Sequence, residues 1–289
     1  MRDGEHRPDF LYVGTSKAGS TWLFNVLARH PDVFLASNKG LYYFDAHFDR
    51  GADWYLDHFR GSDRLARGEI SHSYLSSAQA PARIAALAPG MRLLVCLREP
   101  VDRAFSDYLD LRKNQEFDGP FAAALERYPR LLDRGRYAAH LRCYLDVFPR
   151  EQLLVQLFDD LKEDPQAYAD RVFDFLGVPR LVLPPSDLRS RMPAGVPRSS
   201  FAAATAKSAS RLVKRAGLRR LRSRAKRSAL VRQALYRPYT DDRPVLDADT
   251  ETQLRRLFAP EVAGLDRLLD LPVSRRWGYD STAGDSAVR

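Results

Sequence analysis

The chain has 289 residues, 45% of them apolar and 29% charged, with a net charge of +9. That size suits one large α/β domain, and the 15 Phe, 13 Tyr and 3 Trp exclude a disordered chain. No apolar stretch approaches the roughly 20 residues of a membrane span, and the two cysteines, Cys96 and Cys143, exclude a disulfide framework or zinc site and favour a reducing cytoplasm.

The opening MRDGEHRPDF is polar and acid-bearing, unlike a signal peptide. FLYVG (Phe10–Gly14) then reads as a strand, and TWLFNVLARH (Thr21–His30) as a helix from the spacing of Trp22, Phe24, Val26 and Leu27. RLARGEI (Arg64–Ile70) is a second strand, followed by a helix over AQAPARIAALAP that Pro89 and Gly90 stop. RLLVCL (Arg92–Leu97) has the continuous apolar character of a strand buried on both faces, and a helix follows from Val101 to Lys113. QLLVQLF (Gln152–Phe158) repeats the pattern, with DDLKEDPQAYADRVFDFLGV as a helix ending at Gly177. Strands alternating with helices predict a central parallel sheet flanked by helices.

Beyond Val178 the pattern changes. LVLPPSDLRSRMPAGVPRSS reads as a long loop, and DADTETQLRRLFAPEVAGLDRLLDL as a helix with an acidic first turn. Between them, Lys207 to Arg232 holds eleven Lys and Arg and no acid. Removing those eleven from the 46 basic residues leaves 35 against 37 acids, so the basicity belongs to one segment. Apolar residues such as Leu212, Leu218 and Leu230 among the charges fit amphipathic helices. A cover over an acceptor cleft, a solvated basic face and a contact with anionic lipid all remain open. Nucleic acid is disfavoured, because no aromatic residues interleave with the charges.

Two motifs carry chemistry. GTSKAGSTW (Gly14–Trp22) joins a strand to a helix, and amides converging at such a turn suit a phosphate. Gly14 and Gly19 have the spacing of a nucleotide-triphosphate P-loop, but Ser20 stands where that motif has its lysine, which lies instead at Lys17. The strand RLLVCL also ends on Arg98 rather than on an acid for magnesium, which argues against a kinase or NTPase. The second motif is LREPVDRAFSDYL (Leu97–Leu109). Its Arg98 sits at a strand's carboxyl end, and with the Ser106 hydroxyl it could grip a dianionic phosphate.

Together the motifs resemble those of the sulfotransferases that use 3′-phosphoadenosine 5′-phosphosulfate (PAPS), in the Golgi-type and bacterial carbohydrate branch. KAGSTWL is similar to that family's 5′-phosphosulfate loop, and REPVDRAFSDY to its 3′-phosphate block at Arg98, Pro100, Arg103, Ser106 and Tyr108. The likeness runs from about Phe10 to Val178, with weaker echoes in the C-terminal helix and SRRW. It implies a P-loop-like α/β fold in one domain over 1–289, with a nucleotide-binding core at 10–178 and a helical extension at 179–289. It implies PAPS as co-substrate, a hydroxyl acceptor (carbohydrate, glycolipid or secondary metabolite) and no metal. Lys17 would meet the bridging oxygen while Ala18, Gly19, Ser20, Thr21 and Trp22 hold the 5′-phosphate. Arg98 and Ser106 would hold the 3′-phosphate, with Tyr137 and Arg198 near the nucleotide. A sulfuryl group carries one fewer negative charge than a phosphoryl group, so one ammonium and oriented amides suit its leaving oxygen.

One departure stands out. Where the family places a carboxylate after a lysine, NKGLYYFD has Lys39 and then Gly40. A catalytically impaired nucleotide-binding protein is therefore an alternative. Among bases that could replace the acid, His72 in GEISHSYL has a suitable ordinary pKa, Asp45 is the second candidate, and Glu69 could orient His72 or Lys17.

Overall fold

Five parallel strands centre the structure, a computed structural model that describes residues 7–36, 39–61, 63–188, 195–197, 236–238 and 244–280. Strands β1 (Phe10–Gly14), β2 (Val33–Leu35), β3 (Ala66–Ile70), β4 (Arg92–Leu97) and β5 (Leu153–Leu157) lie in the order β2-β3-β1-β4-β5. Every neighbouring pair is parallel, so each connection must cross a face of the sheet. In chain order the helices are α1 (Ser20–Leu27), α2 (Gly51–Leu56), α3 (Ala80–Leu87), α4 (Pro100–Lys113), α5 (Phe121–Arg127), α6 (Arg130–Asp133) and α7 (Tyr137–Leu145). They continue with α8 (Phe158–Glu163), α9 (Pro165–Leu176), α10 (Pro185–Leu188), α11 (Ala248–Leu269) and α12 (Val273–Arg276). None of the described helices is long and apolar enough to cross a membrane.

The pleat of β1 and β4 divides two cores. Leu11, Val13, Leu93, Val95 and Leu97 face one, while Phe10, Tyr12, Leu94 and Cys96 face the other. Side chains of α1, α8 and α9 complete the second core, and those of α2 to α7 and α11 complete the first. Covering both faces explains the unbroken apolar runs of the central strands. β1 pairs with β3 on one side and β4 on the other. The chain leaves β1 for the β2–β3 side before returning to β4, so the carboxyl ends of β1 and β4 flank the switch point, where open α/β sheets take ligands.

Two sequence expectations need correction, and one strand was not anticipated. The helix expected to run on to Gly177 is two helices, because Pro165 cannot donate to the preceding turn and instead opens α9, with the Asp164 carboxylate capping Ala167 N–H at 2.9 Å. Its end is as expected: Gly177 takes the left-handed conformation at φ 70°. The expected long loop after Val178 contains α10 and then β6 (Gly195–Pro197), which pairs antiparallel with β7 (Tyr236–Pro238). Finally, the three-residue β2 was not expected, being too short to show a period. Arg198 and the basic segment from Lys207 to Arg232 lie outside the described residues.

Candidate active site

The turn between β1 and α1 is held from beneath. Thr15 N–H donates to the Cys96 carbonyl of β4 at 2.9 Å, and the Tyr12 hydroxyl to the Thr15 carbonyl at 2.8 Å. Lys17 (φ 67°) and Gly19 (φ 83°) both take the left-handed conformation, which bends the chain into the first turn of α1. The N–H groups of that turn have no intrahelical acceptor and converge outward. Gly19 has a second constraint: a Cβ there would lie 2.5 Å from Leu161 Cδ2. Gly19→Ala is therefore expected to destabilise the fold by about 1–3 kcal/mol and to weaken nucleotide binding, checked by denaturant melts and calorimetry.

Cations gather around this turn. Lys17 Nζ pairs with Asp110 at 3.2 Å, and Arg98, at the end of β4, donates to the Lys17 carbonyl at 3.2 Å. Arg98 also contacts Asp102 at 3.5 Å and lies 5.1 Å over the Phe158 ring. Its Nε is buried and finds no acceptor among the described residues. Such a guanidinium has donor capacity left for an anion. Asp102, Ser106 and Asp110 recur at every fourth position of α4, so Ser106 falls between the partners of Arg98 and Lys17. Pro100 opens the same helix, while Arg103 and Tyr108 are buried in it.

Two expected nucleotide neighbours are inside the protein. Tyr137 is fully buried, and its hydroxyl donates to the Arg98 carbonyl at 2.7 Å, so it positions Arg98. Trp22 is buried too, its indole N–H on the Asp187 carbonyl at 2.9 Å. Ala18 and Ser20 are buried in the turn and Thr21 is partly exposed.

Sequence reasoning gave Lys39 no role. Its ammonium donates to Thr21 Oγ1 at 2.6 Å and Ser20 Oγ at 3.0 Å, which places a second lysine at the helix start. Burial, and then the charge of Lys17, lower its pKa to about 8. The one available signal was its place beside the anomalous Gly40.

The candidate bases lie alongside. His72 follows β3, with Nε2 2.9 Å from the Tyr42 hydroxyl. Burial, then the charges of Lys39 and Arg134, lower its pKa to about 4. Asp45 accepts from Ala46 N–H at 2.6 Å and from the Ser73 hydroxyl, so both of its oxygens are engaged. Glu69 is buried beneath, accepting from the Tyr74 hydroxyl at 2.6 Å, and burial raises its pKa to about 8. Because the folded state then holds a proton that the unfolded chain releases above about 4.5, this group's stabilising contribution is lost as pH rises toward 8. Glu69→Gln is expected to flatten that decline in pH-dependent urea melts.

The family model for the sulfotransferase domain matches residues 7–234. Human heparan sulfate glucosamine 3-O-sulfotransferase 3B1 is 34% identical over 185 residues, which cover 61% of this chain and 47% of that protein. The human bifunctional heparan sulfate N-deacetylase/N-sulfotransferase 3 is 32% identical over 59% of this chain and 22% of its own length. The chain thus spans about half or less of these curated relatives. A solved sulfotransferase from Alicyclobacillus acidocaldarius is 25% identical and superposes with a TM-score of 0.68, covering 93% of this chain and 99% of its own. With the family model spanning well over half its length, the chain belongs to the sulfotransferase domain family.

Proposed function

We propose that the protein transfers the sulfuryl group of PAPS to a hydroxyl of a carbohydrate-class acceptor and releases 3′,5′-adenosine bisphosphate. The observation that carries this reading is the coupling of Lys17 to Arg98 through the Lys17 carbonyl, at a helix start that also holds Lys39. The donor fits that arrangement: its 5′-phosphosulfate on the amides of Gly19 to Trp22, its 3′-phosphate between Arg98 and Ser106. As the acceptor oxygen attacks sulfur, the bond to the bridging oxygen breaks and its electron pair stays on the nucleotide. Lys17 meets that charge, and the acceptor's proton goes to the group headed by His72. The heparan sulfate relatives support the carbohydrate class.

A kinase reading lacks support, because Ser20 stands where the P-loop lysine would contact the transferred phosphate. Calorimetry is the test, with the bisphosphate and Mg-ATP as alternative ligands, joined to transfer of labelled sulfate from PAPS to O-desulfated heparan sulfate. Binding of the bisphosphate without ATP, and labelled glycan, are expected. Preference for Mg-ATP would overturn the reading.

A further inference from the structure

Position 40 explains itself in three dimensions. Gly40 has φ 79°, and a Cβ there would lie 2.6 Å from Tyr42 Cε2, 2.7 Å from Cζ and 2.8 Å from the hydroxyl oxygen. The Tyr42 ring thus fills the space in which a side chain at residue 40 would start. Tyr42 itself is held at φ 53°, a conformation uncommon for a bulky residue and associated with functional sites. Its backbone is pinned on both sides, the N–H on Ser71 Oγ at 3.2 Å and the carbonyl accepting from His47 N–H at 2.9 Å. All of this aims one phenol at one imidazole: the hydroxyl lies 2.9 Å from His72 Nε2, and the rings meet edge to face at 5.5 Å.

The imidazole cannot take a proton from an acceptor unaided. Nε2 is occupied by Tyr42, and Nδ1 is buried with no partner among the described residues. A phenol O–H donates well and an imidazole nitrogen accepts well, so the relay requires the tautomer in which the tyrosine donates and His72 carries its hydrogen on Nδ1. The group that meets a substrate proton first is then the half-buried tyrosine. We propose that Tyr42 is a catalytic residue of the transfer: its oxygen accepts the proton of the acceptor hydroxyl while its own proton passes to His72 Nε2.

The step balances. The acceptor oxygen gains the sulfuryl group, the bridging oxygen keeps the electron pair of the broken S–O bond, Tyr42 ends as it began, and His72 becomes an imidazolium that releases its proton to solvent. The charged groups around the pair fit this. Burial is the largest influence keeping both groups neutral. Of the charges, Lys39, Arg134 and Lys17 disfavour a charged His72 and Asp107 favours it, while Asp45 and Glu69 oppose ionisation of Tyr42 and Arg134 favours it. A polyanionic donor lying on Lys17 and Lys39 offsets two of the charges that keep His72 neutral, so the relay gains basicity when the donor is bound.

The proposal rests on the sulfotransferase reading, and its test separates the two. Tyr42→Phe keeps the ring over Gly40 and removes only the oxygen. With labelled PAPS and O-desulfated heparan sulfate, kcat is expected to fall by about 10²-fold or more. Bisphosphate affinity should stay at the wild-type value, and the melting temperature should fall only by what one lost hydrogen bond costs. His72→Asn should fall by a similar factor, and the double variant no further, as for residues acting as one unit. Independently of any acceptor, nitrogen NMR of histidine-labelled protein should show His72 neutral at pH 7 with its hydrogen on Nδ1, and Tyr42→Phe should shift the Nε2 resonance. Wild-type kcat in Tyr42→Phe, multiplying effects in the double variant, or a hydrogen on Nε2 would each overturn the relay. Loss of bisphosphate binding by the wild-type protein would instead overturn the sulfotransferase reading.

Discussion

Lys17→Met is expected to lower kcat for sulfuryl transfer by about 10²–10³-fold, equivalent to roughly 2.7–4 kcal/mol of transition-state stabilisation. The side chain keeps its length and loses its charge, so the loop should survive. Negative charge on the bridging oxygen grows only as the S–O bond breaks. An ammonium placed there therefore favours the transition state over the bound donor. Affinity for the bisphosphate should fall far less than kcat, since in the proposed binding mode the Gly19–Trp22 amides, Arg98 and Ser106 would still hold that product. Steady-state transfer joined to calorimetry measures both. An unchanged kcat would assign the leaving oxygen to Lys39, the ammonium already resting on Ser20 and Thr21.

Asp107→Ala is expected to destabilise the protein by about 3–5 kcal/mol, read from denaturant melts. Arg103 is wholly buried, and its guanidinium lies 3.4 Å from Asp107 and donates to the Leu131 carbonyl. Arg134 reaches the same carboxylate oxygen at 3.2 Å. Removing the carboxylate leaves a buried cation without its counter-charge, and that penalty exceeds the loss of the contact itself. Replacing the pair together, Arg103→Met with Asp107→Leu, is expected to recover part of the loss, because Arg103 no longer has to be desolvated while Arg134 still loses its partner. A single variant that melts like the wild type would show that Leu131 and solvent suffice for Arg103.

These two effects mark what could be read from the chain alone. β1 and β4 were legible because burial on both faces leaves no polar alternation to obscure them, and the turn at Lys17 because its glycine spacing is local. The second motif was legible as a pattern but not as a division of labour. Of its matched residues, Arg98 and Ser106 are set toward the nucleotide turn. Pro100 starts the helix, Arg103 forms an interior ion pair, and the Tyr108 hydroxyl donates to the Gly119 carbonyl at 2.9 Å. Spacing cannot separate those duties, since burial depends on which helix face meets α6. Tyr137 was assigned to the nucleotide's surroundings for the same reason, and the fold sets it one step back, under Arg98. Tyr42 was hidden most deeply. Its relation to Gly40 arises from two left-handed residues, Gly40 and Tyr42, on either side of Leu41, a bend that sequence periodicity does not register.

The acids on the outer face of α4 give the nucleotide turn a resting state of its own. Lys17, Lys39 and Arg98 would repel one another if left bare, yet Asp110 and Asp102 act as built-in counterions one helical turn either side of Ser106. In the proposed binding mode, an incoming donor would therefore compete for these cations instead of neutralising free ones. A ligand carrying a single negative charge displaces little, whereas one with phosphates at both ends of its ribose can outcompete both carboxylates together. Selectivity for a doubly phosphorylated nucleoside can thus reside in the exchange of ionic partners, with no movement of the backbone.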